Sequence, residues 1–332
     1  MSEIIVHTAV SDDIIRIASS CTDLNPLTRS GVDGPMELHA LGSSTRHADK
    51  HSVTLLRRIR DDGGATPERI DQLAFMLGWI THRAADRQMK PVFRANPDPE
   101  GRSPKLCSVY QDAFVFAKLM VPAGRDPYDP DMWHLPLDAA GPGNRGAGSS
   151  LMKIAAAQPA RSGEAGEPGG EPAGSRPDGS GRMLAEAQRL VTMMFQRALL
   201  SFHTFVPDDD NVEEWLNHVS GLVQRRRNDL SRYVEAILNP DPELVKRYIT
   251  DLNFYDEADP IIVAARDVQH RGLSMTLAEA RSLTGASHYG QAMQMGLHYV
   301  LAADAFLAGR IDEAKLEQEL DIGKLGRDGK WV

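Results

Sequence analysis

Apolar positions recur along this chain three to four residues apart, the spacing of a helix face, and the strict alternation of a half-buried strand is missing. The clearest run is residues 75 to 93, Phe-Met-Leu-Gly-Trp-Ile-Thr-His-Arg-Ala-Ala-Asp-Arg-Gln-Met-Lys-Pro-Val-Phe. Upstream of it, Thr66-Pro67-Glu68 combines a hydroxyl N-cap, a first-turn proline and an early carboxylate, so a long helix is predicted from there. Ser43, Ser44 and Thr45 offer N-caps for a helix over about 46–60. Ile14, Ile15, Ile17 and Ala18 mark a first helical segment, and 109–120 a further one. Leu184, Ala187, Val191, Met194, Phe195, Ala198 and Phe202 trace another apolar face. A following helix carries Trp215, Leu222, Leu230, Tyr233 and Ile237 to a stop at Asn239-Pro240. Helices near 241–250, 260–271, 288–308 and 311–320 complete an all-α chain without internal repeats.

Residues 140–182 break the pattern with a Gly/Pro-rich composition that cannot bury enough apolar surface to offset chain entropy. They are expected to form a flexible insertion in a single all-α domain spanning 1–332. Within them Gly141-Pro-Gly-Asn-Arg-Gly146 matches the dinucleotide-binding glycine pattern, but it lacks the preceding strand that pattern requires.

The 332 residues, 42% of them hydrophobic and 25% charged, are enough for a sizeable core. No apolar run reaches the roughly 18–20 residues of a membrane span, and the N-terminus has no leader-like stretch, so a cytoplasmic protein is expected. Only Cys21 and Cys107 are present, which excludes a cysteine-rich zinc site. A net charge of −9 argues against a long nucleic-acid surface.

Candidate chemistry sits on the long helix. Phe75, Trp79, His82 and Asp86 share one stripe, and an imidazole and a carboxylate four residues apart stand on the same face, as two ligands of one metal ion must. A buried carboxylate needs a partner, and a divalent cation is a common one; a His–Asp hydrogen bond at a helix end is the other reading. Gly78 would let a second backbone approach closely. His47 and His51 repeat the spacing on the predicted 46–60 helix, where His51 falls in line with Leu55 and Ile59 and should face the core. Asp33 and His39 flank a loop that could deliver both to the same site, against a turn aspartate and a solvent-facing histidine. His7 precedes the first helical segment, and His203 ends the 184–202 helix.

Leu77-Gly78-Trp79-Ile80-Thr81-His82-Arg83-Ala84-Ala85-Asp86 resembles the Leu-Gly-aromatic-x-x-His-x-x-x-Asp core of the zinc-dependent phospholipase C family, related in fold to single-strand-specific zinc nucleases. The match is specific over about 20 residues and only ordinal over the first 210 or so. The resemblance implies an all-helical bundle holding one to three zinc ions. Their ligands would be His82 and Asp86 with His7, Asp33, His47 or His51, and His203. By the same resemblance Asp33 also acts as general base toward the attacking water, and the substrate is a phosphoric ester. Two features depart from the family: Val92-Phe93 follow Pro91 where members carry a histidine, and Pro207 stands where the late His-x-x-x-Glu pair would end. With no leader, a small cytosolic phosphodiester or phosphomonoester is the expected substrate. Lys90 and Arg87 could hold its phosphate, or form a solvated helix end. The alternatives are a non-catalytic helical interaction protein and a helical metal-dependent oxygenase, although the Glu-x-x-His pairs of di-iron bundles are missing.

Overall fold

The computed structural model describes residues 4–45, 51–98, 100, 106–120, 232–233 and 235–323. The helices are α1 (Ile4–Ser20), α2 (Pro26–Val32), α3 (Met36–Ser43), α4 (Ser52–Asp62), α5 (Pro67–Ala95) and α6 (Leu106–Val115). They continue with α7 (Pro242–Val245), α8 (Pro260–Arg271), α9 (Leu277–Ser282), α10 (His288–Leu307) and α11 (Glu313–Glu319). Wide π-turns extend α6 over Phe116–Met120 and α7 over Lys246–Thr250. Among the described residues the only β-pairing is an isolated bridge between Cys21 and Met275, so the all-α expectation holds.

The chain divides into two compact units, Met1–Pro127 with Pro240–Val332, and Tyr128–Asn239. Every helix named above belongs to the first. The second contributes only 232–233 and 235–239, a short helical stretch. The expected 140–182 insertion and the 184–202 helix lie outside the described residues.

Helix α5 forms because its ends are well specified. Thr66 caps it by accepting the Arg69 N–H, and Pro67 in the first turn has no N–H to leave unsatisfied. From Leu73 to Met89 every residue except Phe75 is buried, because α1, α2, α3, α4 and α10 all pack on it. A helix surrounded in this way must place its polar residues against specific partners. Arg83, for example, donates from Nε to the Leu320 carbonyl at 3.0 Å and from a terminal nitrogen to the Asp321 carbonyl at 2.6 Å. These are carbonyls that the end of α11 would otherwise leave open.

The closest helix crossing is between α3 and α5. A Cβ on Gly78 would lie 2.0 Å from the His39 carbonyl oxygen, and one on Gly42 would lie 2.2 Å from that of Phe75. The two backbones therefore touch, as the position of Gly78 in the apolar stripe predicts.

Residues 43–45 correct the sequence reading. They end α3 rather than begin the next helix. The Ser43 hydroxyl donates to the Ala40 carbonyl, and those of Ser44 and Thr45 both donate to Leu41. Hydroxyls serve either end of a helix, as acceptors from N–H groups or as donors to carbonyls. The helix after them starts at Ser52, with His51 as its N-cap.

Candidate metal centre

Two helices bring together a buried group of three residues, His7 from α1 with His82 and Asp86 from α5. One possible ligand atom from each lies within 4.8 Å of the other two. All three residues are under 9% exposed. His7 belongs to a helix, not to a loose terminus. Asp112 of α6 accepts the Val6 N–H at 3.0 Å, placing a carboxylate at the positive end of α1 and fixing the turn that carries His7. Further along, Thr81 donates to Ser11 at 2.9 Å, tying α5 to α1.

The His82 ring is oriented by α3. Its Nδ1 lies 2.7 Å from the Ser43 carbonyl oxygen, which can only accept, so Nδ1 carries the proton. Burial, reinforced by the neighbouring His7, pushes the His82 pKa down and keeps the ring neutral. Nε2 of neutral His82 then presents a lone pair. It is buried, has no hydrogen-bond partner, and lies 3.3 Å from Asp86 Oδ2. Two acceptors facing each other in a dry site call for a cation between or beside them.

The other Asp86 oxygen, Oδ1, is 3.2 Å from His7 Nε2, and the two imidazole rings lie 4.5 Å apart. Burial would raise the Asp86 pKa, but its hydrogen bond with His7 opposes this, and the carboxyl is held well below the usual carboxylate range. The Lys90 ammonium, one turn further along α5, donates to Oδ2. Lys90 is thus engaged within the group and is not presented as a free phosphate ligand.

The remaining candidates lie elsewhere. Asp33 is the C-cap of α2; its carboxylate is half exposed and sits 3.8 Å from Arg29, outside the three-residue group. A C-cap position at a surface helix end explains why it does not join the group. His51 is exposed at the start of α4 and stacks on Trp79 at 6.4 Å; it does not face the core, because the helix begins after it. His47 and His203 lie outside the described residues.

His39 is buried, where a solvent-facing ring was one expectation, and its Nε2 donates to the Gly31 carbonyl at 2.9 Å. Burial pushes its pKa down to about 4, against the opposing effect of that hydrogen bond. Between its ordinary value of 6.5 and about 4, the unfolded chain therefore takes up a proton that the folded chain refuses. The stability from neutral His39 is complete above pH 6.5 and is lost as pH falls to about 4, by about 3 kcal/mol. Urea melts at pH 7 and pH 4.5 should show His39→Gln losing less stability on acidification than the parent. Equal losses would mean that His39 does not carry this dependence.

The group can hold a divalent ion through two imidazole nitrogens and one carboxylate oxygen, a donor set suited to zinc in hydrolytic sites and to iron(II). The Ser43 carbonyl behind His82 is the outer-shell contact such a ligand needs, and it went unread in the sequence because it comes from a backbone 39 residues away. By contrast, the Lys90 contact had a signal in its four-residue spacing from Asp86. Comparison of the chain with known protein families, curated proteins and solved structures finds no match.

Proposed function

We propose that the protein is a divalent-metal-dependent hydrolase of small phosphoric esters, with zinc as its metal and His7, His82 and Asp86 as ligands. The observation that supports this most directly is the His82 lone pair, fixed by the Ser43 carbonyl and set beside a carboxylate oxygen with no proton between them. The likeness of Leu77–Asp86 to the phospholipase C signature supplies the reaction class. A divalent ion there would lower the pKa of water toward neutrality and withdraw charge from a phosphoryl oxygen. His82 is pre-oriented for such an ion, and His7 must give up its hydrogen bond to Asp86 to join it. Lys90 offsets the Asp86 charge at Oδ2 and competes for that oxygen.

The Lys90 contact also favours a second reading, in which His7, His82, Asp86 and Lys90 form a closed structural network in a non-catalytic helical protein. Metal analysis of purified protein separates the two. At least one equivalent of zinc, loss of hydrolysis of bis(4-nitrophenyl) phosphate on chelation and its return with added zinc are expected. Metal-free protein that binds no added zinc leaves the structural network. Bound iron without esterase activity moves the reading to the oxygenase class that shares this donor set.

A further inference from the structure

A cavity of about 890 Å³ opens between α9, α10 and α11 and is floored by Gln88 of α5. Its volume is in the range that accommodates small-molecule ligands. Gln88 lies two residues beyond Asp86 and so roughly 200° further round the helix, which separates this cavity from the histidine group.

The walls are apolar where Leu283, Leu297, Leu301 and Ile311 face it, and each carboxylate among them is engaged. Glu319 pairs with His298 at 2.9 Å and Lys315 at 2.7 Å, and Asp321 accepts the Tyr299 hydroxyl at 3.0 Å. Gln88 keeps its amide out of reach of the cavity: it is 3% exposed, its Nε2 rests on the Met295 sulfur at 3.7 Å, and its Oε1 is fully buried. One polar group of the lining remains unmet. Arg281, at the exposed end of α9, has no ion pair or hydrogen bond among the described residues.

An unpaired guanidinium beside an apolar wall attracts an anion with an apolar body. We infer that this cavity is a binding site for a small amphipathic organic anion, with the acid at Arg281 and the apolar body against α10. The inference does not depend on the metal reading.

The probe is 1-anilinonaphthalene-8-sulfonate, which combines a sulfonate, an aryl body and one N–H; N-phenyl-1-naphthylamine is the same body without the acid. Fluorescence titration of the full chain should give one saturable site for the sulfonate, at least tenfold tighter than for the neutral amine. Arg281→Glu should weaken sulfonate binding at least tenfold and Arg281→Lys less than threefold. Both changes are on the surface and leave the fold intact. Ala302→Trp, which fills the cavity, should abolish binding. The inference fails if the sulfonate does not bind or binds at many unsaturable sites. It also fails if the neutral amine binds as well, or if the Arg281 variants leave affinity unchanged.

Discussion

Gly78→Ala is expected to destabilise the protein by about 3 kcal/mol and to lower its melting temperature by roughly 5–10 °C. The added methyl carbon would sit 2.0 Å from the His39 carbonyl oxygen and under 3 Å from the His39 carbonyl carbon and Cα. None of these is the end of a flexible side chain, so α3 has to move as a body. Alanine's advantage over glycine inside a helix, about 1 kcal/mol, only partly offsets that. Moving α3 also carries away the Ser43 carbonyl that orients His82. The same substitution should therefore weaken zinc binding as well as stability. A Gly78→Ala protein that melts at or above the parent temperature would show that the two backbones are not in contact.

The second large effect is at Asp86. Asp86→Asn keeps the shape and one acceptor oxygen but removes the charge that two imidazoles and an ammonium surround. It should lower zinc occupancy below one half and reduce kcat/KM on the phosphodiester at least a hundredfold, about 2.7 kcal/mol of transition-state stabilisation. Lys90→Met should act in the opposite sense on metal. With the competing ammonium gone, zinc affinity should rise about tenfold, or about 1.4 kcal/mol. The two readings of the group divide here. A structural network loses stability in both variants and binds metal in neither, whereas a metal centre distinguishes them. Titration with zinc under competition from a chelator of known affinity, together with thermal melts, measures both.

The long helix could be read from sequence because its determinants are local. Thr66-Pro67 starts it, and the stripe from Phe75 to Asp86 gives its buried face. Its burial on every side was not apparent, since that depends on five other helices. The short α2, α3 and α9 have too few turns to give a periodic signal. Misplacing the start of α4 had one cause, hydroxyls that cap carbonyls at the end of α3, and it carried His51 to the wrong face. At the candidate site, the His82–Asp86 pair was legible from spacing. The joining of His7 to it, 79 residues from Asp86, followed only from the family resemblance. Asp33 is suggested both by its loop position beside His39 and by the resemblance, and the fold leaves it at a surface helix end.

The group that fixes the His82 tautomer is a main-chain carbonyl, and no side-chain substitution removes it. In a mutational scan, Ser43→Ala leaves that oxygen in place, so position 43 would score as nearly indifferent to the chemistry. The dependence would surface at Gly42 and Gly78, which touch no ligand and carry no functional group, yet set how closely the carbonyl approaches the ring. A map of this protein's intolerant positions would thus outline the crossing of two helices, and the atom that matters most to His82 would leave no mark at its own residue.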